Sequence, residues 1–85
     1  MSKTDKRVAE LLEFPNTMRF SDVQKVLEAY GYALDRVKGS HHIFTKKGAT
    51  RIDIPVHNKV VKIDYLKIIA KTLSLEEKWK IWSII

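Results

Sequence analysis

The chain has 85 residues, a length that suits one domain with a small core, and its 45% apolar content excludes a disordered polyelectrolyte. It has no cysteine, so neither disulfides nor thiolate metal sites can support the fold. The formal net charge is +6, and no apolar run approaches the length needed to span a bilayer.

In chain order, Met1-Ser2-Lys3-Thr4-Asp5-Lys6-Arg7 leads into a charged amphipathic segment and not into an apolar signal core, so a cytoplasmic protein is expected. Thr4 can cap a short helix carrying Val8, Leu11 and Leu12 on one face, which Pro15-Asn16 ends. This piece reads as an added arm. Ser21 and Gln24 have the spacing of a capping box for a second helix, with Asp22 at its positive end and Val23, Val26, Leu27 and Tyr30 forming one stripe. Gly31 is a natural left-handed terminator.

After Tyr32 the period changes from helical to alternating. Residues 33–37 predict a strand, Lys38-Gly39-Ser40 a tight turn, and residues 41–45 the antiparallel return strand. Lys46-Lys47-Gly48-Ala49 forms a second turn, and residues 50–56 alternate cleanly, with Ile52, Ile54 and Val56 on one face and Arg51 and Asp53 on the other. Pro55 marks an edge strand or a strand end. His57-Asn58-Lys59 is a loop and Val60-Val61-Lys62 an extended connection. Asp64 opens a helix with Leu66, Ile69 and Leu73 on its face, Tyr65 and Ile68 widening the stripe. Ser74 and Glu77 make another capping box ahead of Leu75, Trp79 and Trp82, whose helical spacing fits core packing and also allows stacking on bases.

The positive charge is concentrated. From Arg36 to Lys71 nine basic residues (Arg36, Lys38, Lys46, Lys47, Arg51, Lys59, Lys62, Lys67, Lys71) face only Asp53 and Asp64, a net +7, whereas the rest of the chain sums to −1. That fits a polyanion footprint or an acidic protein partner, and equally a solvated lysine-rich face.

Within this basic run His41 and His42 follow the Gly39-Ser40 turn. Imidazole, with an ordinary pKa of about 6.5, can take and give a proton near neutrality. RNA carries its own nucleophile in the ribose 2′-hydroxyl, so its cleavage needs a base, charge stabilisation at the phosphate and an acid for the leaving oxygen, and no metal. One histidine can supply the base; Lys38, Lys46, Arg51 and the turn amides around Gly39 can supply the charge. If Phe44 points inward, strand parity sends His42 to the same side and His41, Ile43 and Thr45 to the open side. His57 is a second candidate, open to catalysis, a phosphate contact or a purely structural role. The three histidines also raise a zinc site, which opposite strand faces and the lack of paired carboxylates disfavour. Ser40 lies in no nucleophile elbow.

Taken together, Phe20-Ser21-Asp22-Val23, Gly31-Tyr32, Arg36-Val37-Lys38-Gly39-Ser40-His41-His42-Ile43-Phe44, Ile54-Pro55-Val56-His57 and Tyr65-Leu66-Lys67-Ile68-Ile69 resemble the HicA family of toxin ribonucleases over residues 18–73. The resemblance implies an α+β, double-stranded-RNA-binding-domain-like α-β-β-β-α fold. To it this chain adds an N-terminal helical extension (residues 1–17) and a short C-terminal helical tail (residues 74–85), within a single domain. It also implies a toxin of a type II toxin–antitoxin system that cleaves mRNA without a metal or other cofactor. The partner is a cognate HicB-type antitoxin covering the active site, with the toxin a monomer or assembled with that antitoxin.

The family's catalytic histidine maps onto His41. His42, His57 and Ser40 are candidate assistants, and Arg36, Lys38, Gly39, Lys46, Lys47, Arg51, Lys59 and Lys62 are candidate RNA or phosphate contacts. Two other classes stay open: a non-catalytic RNA-binding module using the same basic face, and a protein-interaction domain whose positive region serves an acidic partner.

Overall fold

The computed structural model describes residues 2–75. Helix α1 (Lys3–Leu12) begins at Ser2, not at Thr4. The Ser2 hydroxyl accepts the Asp5 amide N–H at 3.1 Å while the Asp5 carboxylate accepts the Ser2 N–H at 3.2 Å, a reciprocal capping box two residues ahead of the one expected cap. Val8 and Leu11 are buried in the common core, and the Arg7 guanidinium meets the Asp22 carboxylate at 3.1 Å, tying α1 to the next helix. The segment read as an added arm is therefore packed into the body.

Strand β1 (Thr17–Arg19) runs directly into helix α2 (Phe20–Ala29). The expected Ser21–Gln24 capping box is not formed: Arg19 takes the cap position in extended conformation, with no side-chain cap hydrogen bond. Ser21 already lies one residue inside the helix, and the Phe20 N–H is taken by the Lys59 carbonyl at 2.8 Å. Val23, Val26 and Leu27 face the core as the period requires. The end of α2 is a Schellman motif. The Tyr32 N–H bonds the Leu27 carbonyl and the Gly31 N–H the Glu28 carbonyl, both at 3.0 Å, with Gly31 at φ +90°.

Strands β2 (Ala33–Lys38), β3 (His41–Thr45) and β4 (Ile52–Pro55) form an antiparallel meander in that spatial order. β4 is an edge strand and ends on Pro55, as a missing N–H demands. The register pairs Lys38 with His41, Val37 with His42 and Leu34 with Phe44, with a bulge between Leu34 and Arg36. Across β3 and β4, His41 pairs with Pro55, Ile43 with Asp53 and Phe44 with Ile52. Phe44, Ile52 and Ile54 pack against the helices, whereas every residue of the edge strand β2 is exposed, including Leu34 and Val37.

Strand β5 (Val60–Lys62), expected as an extended connection, pairs with β1 in a second sheet of two strands, burying Met18 and Val61. Helix α3 (Ile63–Thr72) buries Leu66, Ile69 and Ala70. Ile68, expected to widen its apolar stripe, is 51% exposed. Leu73 and Leu75 close the core, but Ser74 stands at φ +54°, whereas an N-cap needs extended backbone. Glu77, Trp79 and Trp82 lie outside the described residues. The architecture is α+β, consistent with the double-stranded-RNA-binding-domain-like order, and no helix among the described residues is long and apolar enough to cross a membrane.

Candidate active site

Gly39 and Ser40 form the two-residue connection between β2 and β3, and Gly39 adopts φ +61°, the left-handed backbone such a hairpin turn needs. The turn delivers the two histidines to opposite faces of the sheet. His41 opens onto the face away from the helices, where its side chain remains 54% exposed. Its Nδ1 lies 2.8 Å from Oδ1 of Asp53, its diagonal neighbour on β4. An ionised carboxylate only accepts, so Nδ1 carries the hydrogen and the neutral ring presents the lone pair of Nε2 to solvent. Asp53 thus orients the imidazole.

Ile43 shares this face. It is buried although it stands outside the main core, flanked in register by Arg36 and Asp53.

His42 turns the other way. Its Nδ1 donates to the Ser40 carbonyl at 3.1 Å, an oxygen that also accepts the Val56 N–H at 2.8 Å. Ser40 therefore acts here through its main chain. The half-buried His42 ring sits 4.6 Å from the Phe20 ring, tilted by 55°. Both rings border an open cleft of about 810 Å³ that Arg19, Ser21, Val56, Asn58, Lys59 and Val60 complete. The structure separates His41 and His42 as strand parity predicts, and they cannot close on one atom from the same side.

His57 is exposed at the base of a two-residue turn. Its N–H reaches the Val60 carbonyl at 3.3 Å, the Val60 N–H returns to the His57 carbonyl at 3.0 Å, and Asn58 and Lys59 take φ +51° and +64° between them. Among the described residues no group of three or more His, Asp or Glu side chains is arranged to hold a metal ion.

The basic candidates divide into groups. Lys38 stands in register beside His41, Arg36 is exposed on the same strand, 3.7 Å from Asp35, and Arg51 shares the parity of Asp53 just before β4. Lys47 is exposed in the β3–β4 turn and Lys62 on β5. Lys59 borders the cleft on the other side. Lys46 is engaged in the fold: its ammonium donates to the Tyr30 carbonyl at 2.8 Å and lies 5.9 Å from the centre of the Tyr32 ring, so it closes the end of α2.

A family model described as the HicA toxin of bacterial toxin–antitoxin matches residues 20–75, from the first residue of α2 to the end of the described chain. The chain belongs to the HicA toxin family. Among curated proteins and among solved structures, nothing matches it. As a HicA toxin it has a cognate antitoxin for its partner. Both histidines of the hairpin, Asp53, His57 and the cleft residues Phe20, Asn58 and Lys59 fall inside the matched span; α1 and β1 precede it.

Asp53 and the cleft were not singled out as functional from sequence. Asp53 had a usable signal, because it shares the open face with His41 by parity. Of the cleft lining only His42 and Lys59 are sequence candidates, and nothing local joins them, since the walls meet through the pairing of β1 with β5.

Proposed function

We propose that this HicA toxin is a metal-independent endoribonuclease that cleaves mRNA and so blocks translation, with His41 as its proton-transfer group. The observation that carries the reading is the 2.8 Å contact between His41 Nδ1 and Asp53, which leaves the lone pair on Nε2 of an exposed ring on a cationic sheet face. RNA supplies the nucleophile. Nε2 takes the proton of a ribose 2′-hydroxyl as that oxygen forms a bond to the adjacent phosphorus. The bond from phosphorus to the 5′-oxygen of the next nucleotide breaks, and that oxygen takes up a proton, from His41 or from water, leaving a 2′,3′-cyclic phosphate and a 5′-hydroxyl. Charge growing on the phosphoryl oxygens is met by Lys38, in register beside His41, and by Arg51. Asp53 favours the imidazolium formed midway, much as a carboxylate supports histidine in other proton relays.

Expression of wild type and His41→Ala in cells, followed by growth and RNA integrity, tests the reading. The wild type arrests growth and fragments mRNA; His41→Ala does neither. Equal arrest by both proteins refutes the role of His41. If neither cuts RNA, although both bind it, the chain is a non-catalytic RNA-binding module on the same face. A strand with 2′-deoxyribose at the scissile position must resist cleavage.

A further inference from the structure

The cleft on the helix side of the hairpin carries a chemistry that the open face lacks. Arg19 and Lys59 bring two cations to its walls, Phe20 and His42 an aromatic surface, and Asn58 and Ser21 hydrogen-bonding groups. Among the described residues no carboxylate lines it. Asp22, the next residue along α2, is held by Arg7 at 3.1 Å. Cations for a phosphate, an aromatic face for a base and an amide for the base edge together match a single-stranded nucleotide.

Lys59 adds a second argument. It occupies the second central position of a two-residue turn at φ +64°, where glycine is the residue that backbone geometry prefers. Glycine adopts that backbone at no cost, so the Lys59 side chain can be removed there without straining the turn. Its carbonyl is pinned to the Phe20 N–H at 2.8 Å, which fixes the turn against the cleft floor.

The position relative to His41 supplies the third. His41 and His42 are adjacent residues on opposite sides of the sheet rim at Gly39–Ser40, so one strand crossing that rim meets the proton-transfer group on one side and the cleft on the other.

We infer that the cleft is a subsite for the RNA nucleotide neighbouring the scissile phosphate. Its phosphate lies between Arg19 and Lys59, its base over the exposed side of the Phe20–His42 pair, with Asn58 at the base edge. The inference rests on the ribonuclease reading for the neighbouring cut, and its test separates the two.

A short single-stranded RNA of mixed sequence, uniformly 2′-O-methylated so that it cannot be cut, is titrated by fluorescence anisotropy against the full-length toxin across a salt series. Cleavage of the same strand in all-ribose form is followed separately, and thermal unfolding reports folding. Lys59→Gly keeps or raises the unfolding temperature, weakens binding about five- to tenfold, and lowers the slope of log affinity against log salt by roughly 0.7, the share of one phosphate contact on a single strand. Phe20→Leu, which keeps an apolar side chain but removes the stacking face, weakens binding by about tenfold. Both lower kcat/KM in proportion, whereas His41→Ala binds like wild type and does not cut.

A folded Lys59→Gly with unchanged affinity and salt slope overturns the subsite and leaves the cleft to the antitoxin. His42→Ala abolishing cleavage at undiminished affinity overturns it too, by making the cleft the reaction centre. If binding responds as expected but the wild type cuts nothing, the cleft stands as a site for one RNA nucleotide, and the ribonuclease reading falls together with the neighbouring cut.

Discussion

A carboxylate on Nδ1 determines what Nε2 of the same ring can do. With Asp53 at 2.8 Å, the tautomer and the ring plane of His41 are set before any substrate arrives, which would remove a rotational search from the proposed proton transfer. Asp53→Asn is an informative variant because it is nearly isosteric. An amide side chain can rotate to donate to Nδ1, which favours the tautomer whose lone pair faces the wrong way. We expect single-turnover cleavage to fall by roughly 10²-fold or more while RNA affinity changes little or rises, since a negative charge has left the face. Equal cleavage by wild type and Asp53→Asn would remove Asp53 from the mechanism. On the proposed mechanism His41→Ala removes the base, and cleavage is expected to drop to background. A fall in cleavage accompanied by a loss of folded protein would mean that the pair serves structure, so circular dichroism accompanies each assay. The parity of β3 and β4 made the His41 side of this site readable from sequence, because two strands with clean alternation fix which residues share a face. Reading the Asp53 contact also required the register between the strands, and that depends on the lengths of two turns.

The elements most legible in the sequence were those whose signal is local. Gly31, the alternation of residues 50–56 and the Gly39-Ser40 turn each carry their meaning within a few residues, and β3 spans His41–Thr45 as expected. β1 was not legible, and of β5, expected as an extended connection over the same residues, only the pairing was not. Three-residue strands show no period, and each is stabilised by a partner more than 40 residues away, Thr17 with Lys62 being one register pair. Cap assignments erred for a related reason. Ser21 is a good capping residue, but the chain enters α2 directly from β1, so tertiary pairing overrode local propensity. The end of α2 gives a test at this scale. Gly31 stands at φ +90°, and a Cβ there would come 3.2 Å from the Lys46 side chain, whose ammonium bonds the Tyr30 carbonyl. Gly31→Ala is expected to cost about 1–2 kcal/mol in urea unfolding through left-handed strain. Lys46→Met, which keeps the stem and removes the charge, is expected to cost roughly 0.5–1 kcal/mol, the order of one favourable charge at a helix C-terminus. If Lys46 instead contributes chiefly to RNA contact, Lys46→Met leaves the unfolding curve in place and lowers affinity.

At the scale of the whole molecule, the question is what α1 does. The family match begins at Phe20, so the match alone would allow α1 and β1 to be dispensable. Packing argues otherwise. Leu11 is fully buried and belongs with Val8 to the same core as Val26, Leu27, Leu66 and Ile69, and in a chain of this size one core supports everything. Removing the buried part of a leucine from such a site costs about 2–5 kcal/mol, against a total stability on the order of 5–15 kcal/mol for small domains. Leu11→Ala should therefore shift the urea midpoint strongly. Deleting residues 2–13 should leave a protein that does not unfold cooperatively, because α2 and α3 lose the cover of one side. Ser2→Ala gives a graded control: it breaks the capping box at an exposed helix start and costs only about 1 kcal/mol. The order of effects, deletion above Leu11→Ala above Ser2→Ala, is what an integral helix requires. An extension that merely decorates the toxin would give three near-identical unfolding curves. The Gly39–Ser40 hairpin and its two histidines would then retain their geometry, and RNA cleavage by the deletion variant would match that of the full chain.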